Sequence, residues 1–413
     1  MDIRFYDSWL LVGDQEHLIA DSFAVAELIP SSSIEPHAIT PPAGFSCRFA
    51  NGLRNGNCYQ GLDFPAGAIC SAKRVDEMGV GALYVNKQRL VVESPGLFRV
   101  YHHNDENLRL VQQQLWSGRG SSVNVVDTKL YTLGDDLREY DSDGQLVNEM
   151  VISGASQLFF HEATVIHGKI VISGYQTYPM MQGRRDETGF IRLFKTTDIS
   201  APKGSLNLSE VENEREIAFF DDLKIIPVYL ADQIIQPTRY GVAIFSYDPK
   251  VERVIIGGFV PYFASAGLNS EIFMSVAVGD TDRLLAFTAG GLSYFNVEIP
   301  KSVGAPTCPP LVATDGKIYV VGRQGVAAYD PSGKSIWEIA LSSSGGTGVF
   351  AVLFNDQLVV GCGKRLVALK PNGKTLFEVN DLEGEISTPL IGLGNRSYAI
   401  GTTTGLYHLA VGK

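Results

Sequence analysis

The sequence predicts an all-β chain, folded as a β-propeller of about eight four-stranded blades. Three observations carry this: a repeat near forty residues, apolar alternation inside each copy, and a turn at a fixed place in the copies. The clearest pair is DGKIYVVGRQGVAAYDPSGKSIWEIAL from Asp315 and NDQLVVGCGKRLVALKPNGKTLFEVND from Asn355. Asp330-Pro331-Ser332-Gly333-Lys334 returns forty residues on as Lys370-Pro371-Asn372-Gly373-Lys374, and Trp337 returns as Phe377. Pro presets φ at the second turn position and Gly accepts a positive φ, so each Pro-x-Gly joins two strands as a hairpin.

In chain order, Ile3–Val12 and Leu18–Leu28 read as strands broken by Gly13-Asp14-Gln15-Glu16. Residues 30–80 are dense in Gly, Pro, Asn and Ser, a turn-forming composition expected to wrap or cap one face. From Gly81 the repeat sets in, with turns at Ser94-Pro95-Gly96 and at Asp141-Ser142-Asp143-Gly144-Gln145. DTKLYTLG from Asp127 and HGKIVISG from His167 again lie forty residues apart. Residues 175–216 interrupt the third copy, as an insertion or an elaborated outer hairpin. A fourth unit, around Tyr247-Asp248-Pro249, lacks the turn glycine; a fifth starts near Glu271. The eighth, from Ser387, supplies three strands. Its missing outer strand is expected from Ile3–Trp9, closing one ring across residues 1–413, since an unpaired edge invites association. Seven blades is the next count.

Ala328 to Trp337, AYDPSGKSIW, resembles the A-x-D-x-(x)-T-G-K-x-x-W docking motif of pyrroloquinoline quinone-type propeller repeats, one residue shorter in the turn. The seventh unit resembles it less closely, and Asp141 to Asn148 in part. The likeness covers Gly81–Lys413 at the level of the repeat. It implies that Trp337 packs across neighbouring blades and that Asp330, Gly333, Lys334, Gly373 and Phe377 serve blade docking. Enzymes and non-enzymes share such repeats, so the resemblance implies a fold and no activity.

The net charge of −11 argues against a nucleic-acid groove, which needs clustered Lys and Arg. No run approaches the ~18 apolar residues of a membrane-spanning helix. Five cysteines, scattered and without C-x-x-C, fit thiols rather than a disulfide framework or zinc knuckle. The first residues lack a basic start, a long apolar run and a small-residue cleavage site, so a cytoplasmic protein is expected.

Three functional classes remain. A quinone-dependent dehydrogenase of the resembled type implies docking Trp in most blades, calcium near the axis and, in many, adjacent cysteines. This chain has Trp9, Trp116 and Trp337 alone and no adjacent cysteines. A metal-dependent hydrolase or lactonase needs acidic, amide and imidazole groups converging on the central tunnel. His161, Glu162, Asp221, Asp222 and Glu271 are candidates, without a known ligand spacing. Calcium and pyrroloquinoline quinone stay open, with no cofactor the leading reading. The third class, a non-catalytic scaffold binding a protein partner, leads. Tyr175, Tyr178, Met180, Met181, Arg184, Arg185 and Phe190 in the 175–216 segment are the aromatic, Met and Arg types enriched at interfaces.

Overall fold

The computed structural model describes the backbone of residues 3–6, 9–12, 15–18, 57–58 and 64, and of 69–412 with short gaps, the longest being 178–186, 196–212, 219–226, 247–253 and 342–348. For β1 to β4, and for every strand between 151 and 218, only backbone is described. Among the described residues every regular element is a strand.

β1 (Ile3–Tyr6), β2 (Trp9–Val12) and β3 (Gln15–Leu18) form a separate three-stranded antiparallel sheet. β4 (Asn57–Cys58) and β5 (Ile69–Asp76) follow. The first sheet is β6 (Ala82–Asn86), β7 (Arg89–Ser94), β8 (Leu97–His103) and β9 (Leu108–Leu115). The second is β10 (Ser122–Val126), β11 (Lys129–Leu133), β12 (Asp136–Tyr140) and β13 (Leu146–Val151). The third is β14 (Leu158–Ile166), β15 (Lys169–Thr177), β16 (Glu187–Lys195) and β17 (Asn213–Ala218). The fourth is β18 (Val228–Tyr229), β19 (Gln233–Thr238), β20 (Gly241–Ser246) and β21 (Val254–Gly257). The fifth is β22 (Val260–Ala266), β23 (Glu271–Val278), β24 (Thr281–Thr288) and β25 (Ser293–Glu298). The sixth is β26 (Leu311–Val312), β27 (Ile318–Val321), β28 (Gly325–Tyr329) and β29 (Ser335–Ala340). The seventh is β30 (Val349–Phe354), β31 (Gln357–Cys362), β32 (Arg365–Leu369) and β33 (Thr375–Val379), with β4 added parallel to β30. The last is β34 (Ile391–Gly394), β35 (Ser397–Thr402) and β36 (Gly405–Gly412), with β5 on its outer edge.

First strands pack on first strands: β6 on β10, β10 on β14, β22 on β26, β26 on β30, and β34 back on β6. This is a propeller-like arrangement. Where sheets pack in this way, the middle strands between them are buried on both faces. β27 and β28 are buried at every residue. Outermost β29 alternates between partly buried and exposed residues, because one face looks to water. The sequence pattern reports this directly: IYVV and GVAAY are unbroken small-to-apolar runs, whereas SIWEIA alternates.

The turn chemistry follows the repeat. Gly333 at φ 83° and Gly373 at φ 81° occupy the left-handed region that the turn requires. Asp330 Oδ1 accepts from the Ser332 and Lys334 backbone N–H groups at 2.9 and 3.0 Å. Asp141 does the same for Asp143 and Gln145, both at 2.9 Å, and Gly144 sits at φ 80°.

The strand that completes the last sheet corrects an expectation. β1 pairs with β2, not with β36; Ile69–Asp76 lies antiparallel to β36 instead, from Ile69↔Gly412 to Asp76↔Leu406. The donor therefore comes from the end of the Gly/Pro-rich segment, which supplies both β4 and β5. Its identity is fixed by side chains at the junction with the first sheet. Buried Arg99 pairs with Asp76, Tyr101 Oη donates to the same carboxylate, and Arg99 Nη2 donates to Ser94 Oγ at 2.7 Å. Ser94 Oγ in turn donates to the Gly79 carbonyl at 2.7 Å. The β5–β6 link is stitched back on the other side too, Val80 N donating to Thr402 O at 3.0 Å.

Within the 175–216 segment, Thr177 ends β15, and β16 and β17 are the third and fourth strands of their sheet; residues 178–186 and 196–212 lie outside the described residues.

Candidate functional site

The seams between sheets are built from one repeated register. Ala286, Ala328 and Ala368 on third strands stand opposite Phe295, Trp337 and Phe377 on fourth strands. The small alanine leaves room for the ring to turn toward the next sheet. There it covers a turn glycine: a Cβ on Gly333 would come within 2.6 Å of the Phe295 ring, and one on Gly373 within 3.1 Å of Trp337. Trp337 Nε1 also donates to the Pro371 carbonyl at 2.9 Å. Between the first two sheets Gln112 takes this place, 3.1 Å from a Cβ on Gly144. Lys334 contributes its backbone N–H to Asp330.

Where the last sheet lacks a hairpin turn, Phe64 stands instead. Its ring lies 5.0 Å from Phe377, 5.6 Å from Phe354 and 4.9 Å from Tyr398, centroid to centroid. Gln357 clamps its backbone: Phe64 N donates to Oε1 at 2.8 Å, and Nε2 donates to the Phe64 carbonyl at 3.3 Å.

The seam between the fifth and sixth sheets is open. A cleft of about 410 Å³ lies there, on the side of the strand 1–2 and strand 3–4 turns. Phe273, Ala286, Phe295 and Val312 form its apolar floor, and Asn269, Glu271, Tyr294 and Asp315 line its rim. Glu271 accepts from Asn269 N at 3.1 Å and from Asn269 Nδ2 at 3.0 Å. Gly267 admits it, since a Cβ there would lie 2.5 Å from Glu271 Oε2. Among the described residues no cation pairs with Glu271, whereas Asp315 is paired with Lys317. Partial burial, together with the negative charge of Glu271, pushes the Tyr294 hydroxyl pKa up. The rim is therefore rich in acceptors over an aromatic floor.

Two of the sequence-predicted interface residues lie on paired strands, one position apart in register. Tyr175 lies in β15 opposite Gly189, and Phe190 in β16 opposite Gly174. Tyr178, Met180, Met181, Arg184 and Arg185 lie outside the described residues, as do Asp221 and Asp222. His161 falls at a register shift in β14 between Phe160 and Glu162. Glu271 stands at the cleft rim beside Asn269. Among the described residues no three His, Cys, Asp or Glu side chains gather as a metal site would require. Phe64, Phe295, Asp76 and Arg99 escaped sequence reasoning. Phe295 could have been found by register, two strands after Glu271. Phe64 stands in a stretch whose composition signals only turns.

Comparisons with known proteins agree with this geometry. Residues 322–411 match the family described as outer membrane protein assembly factor BamB. No curated protein sequence matches the chain. Among solved structures, BamB from Moraxella catarrhalis is similar at 12% identity and TM-score 0.54, covering 84% of this chain and 99% of that one. The C-terminal WD40 domain of Sif2 is similar at 10% identity and TM-score 0.59, over 83% and 98%. The computationally designed protein Ika8 is similar at 9% identity and TM-score 0.57, over 86% and 99%. At such identities the likeness is one of fold: an all-β propeller carrying repeats of the pyrroloquinoline quinone type.

Proposed function

We propose that this chain is a non-catalytic scaffold that holds a protein partner on an eight-bladed propeller closed by β5. The observation that carries it is the exposure of apolar side chains on outermost strands of adjoining sheets: Leu110 and Leu115 on β9, Leu146 and Val147 on β13. A partner surface would cover them. The BamB match over 322–411 supports the reading, since that family is described as an assembly factor. The hairpin of β15 and β16 supplies the specific contacts through Tyr178, Met180, Met181, Arg184 and Arg185, which lie between the two strands in sequence, in a cytoplasmic setting.

The test is native mass spectrometry of the full chain isolated from its host, beside a variant with those five residues changed to Ser. The scaffold reading expects a protein bound at fixed stoichiometry to the first, and lost from the second at unchanged melting temperature. A partner retained by the variant removes the hairpin from the reading. A chain without any stoichiometric protein sinks the scaffold itself, and cell fractionation settles the compartment.

A further inference from the structure

The repeat register makes the open seam comparable, position by position, with its two neighbours. Phe273, Tyr319 and Val359 face Ala286, Ala328 and Ala368 across the second and third strands. Two residues earlier, Glu271, Lys317 and Gln357 therefore occupy one structural position. At the next seam, Asp356 reaches back to accept from Thr314 N and Thr314 Oγ1, both at 2.7 Å, and so bridges the sixth and seventh sheets. The position equivalent to Asp356 in the sixth sheet is Gly316, which has no side chain to bridge with. Beneath it, Phe295 replaces the larger Trp337. The cleft is what these two changes leave.

The following seam shows how such a groove is filled. There Gln357, equivalent to Glu271, holds the main chain of Phe64 by both its N–H and its carbonyl, while the Phe64 ring rests on Phe377, equivalent to Phe295. A distant residue of this chain, 293 positions from Gln357, is thus held by its main chain and its ring together, as a residue of a bound peptide would be. Glu271 differs from Gln357 in being an acceptor only, so its ligand has to bring donors. Net charge −11 gives the same preference at long range.

We propose that the cleft between the fifth and sixth sheets takes an extended segment of the partner protein, one apolar side chain lying on Phe273 and Phe295 and an adjacent Lys or Arg meeting the Glu271 carboxylate. This rests on the scaffold reading and names what one of its contacts recognises. The ring of Tyr294, 55% exposed, forms the outer wall against the stem of the basic side chain.

The probes are two capped tetrapeptides, Gly-Phe-Arg-Gly and Gly-Phe-Glu-Gly, titrated calorimetrically into the full chain. The Arg peptide is expected to bind about tenfold more tightly or better, as a charge-assisted contact gives. Glu271→Gln is expected to abolish that preference with the melting temperature unchanged. Tyr294→Arg, on the solvent side of the rim, is expected to do the same by repulsion. Equal binding of the two peptides, binding of neither up to about 5 mM (a free energy near −3 kcal/mol), or a preference that survives Glu271→Gln overturns the proposal. The two readings fail separately: the peptides report on the cleft alone, whereas the lack of any stoichiometric host protein strikes the scaffold.

Discussion

Gly333 and Gly373 are held by two constraints at once, a left-handed backbone and an aromatic ring where a Cβ would stand. Gly373→Ala is expected to cost about 1–3 kcal/mol, and Gly333→Ala more, because Phe295 lies closer than Trp337 does. Thermal melting of the two variants checks the order; equal losses would mean that backbone strain alone decides. Two titrating groups act at the same scale. Burial by itself would raise the Asp76 carboxyl, but hydrogen bonds from Tyr101, Met78 N–H and Arg99, with the Arg99 charge, hold it below its ordinary value. Burial first, and then the charge of Lys73, keep His408 below its ordinary value of 6.5, neutral against Ser397. Both folded-state values are depressed, so the unfolded chain takes up protons first as pH falls. Stability is therefore full above pH 6.5 and is lost in two stages, His408 on the way down from 6.5 and Asp76 below 3.8. Melting temperature against pH is expected to be level above the first value and to fall below it. His408→Gln is expected to remove the first stage and leave the second.

At the scale of the element, Phe64 does for the last seam what a hairpin turn does for the others. Phe64→Ala would leave a hole among Phe354, Phe377 and Tyr398 and is expected to cost about 3–5 kcal/mol, while Phe64→Leu is expected to cost under about 1.5 kcal/mol. Urea denaturation distinguishes this from a surface role, for which neither substitution would matter. The hairpins themselves were legible in the sequence, because Asp330-Pro331-Ser332-Gly333 encodes its own geometry locally. The replacement of a hairpin by Phe64 was not. Its partners lie about 290 to 334 positions away, and it is one of four scattered aromatics in a Gly/Pro-rich stretch, which form no periodicity. The same applies to the cleft: Glu271 was recognisable as a polar residue at a strand start, but its neighbours Asp315 and Tyr294 come from other strands and turns.

For the whole molecule, the sequence reading expected an outer strand on the last sheet from a distant part of the chain, and named the wrong donor. Ile3–Tyr6 has the apolar run that a closing strand needs. What singles out Ile69–Asp76 is the pairing of half-buried Asp76 with buried Arg99, which no linear pattern displays. Removing residues 1–18 is therefore expected to leave the melting temperature within about 2 °C of the full chain, since among the described residues β1 to β3 pair only with one another. Removing residues 1–76 strips β36 of its neighbour and is expected to give aggregates. Size-exclusion chromatography of the two truncations separates these outcomes; loss of the monomer on the shorter deletion would return the closing role to the first strand.

The pairing of β5 with β36 also sets a schedule. Ser71 and its partner Ala410 are 339 residues apart. At the usual pace of synthesis the ribosome delivers the second on the order of tens of seconds after the first. For that interval β5 has no strand beside it, and β4 and Phe64 likewise wait for the seventh sheet. The strand that edges the last sheet is thus among the first to leave the ribosome, and it has to be kept from other partners until β36 arrives.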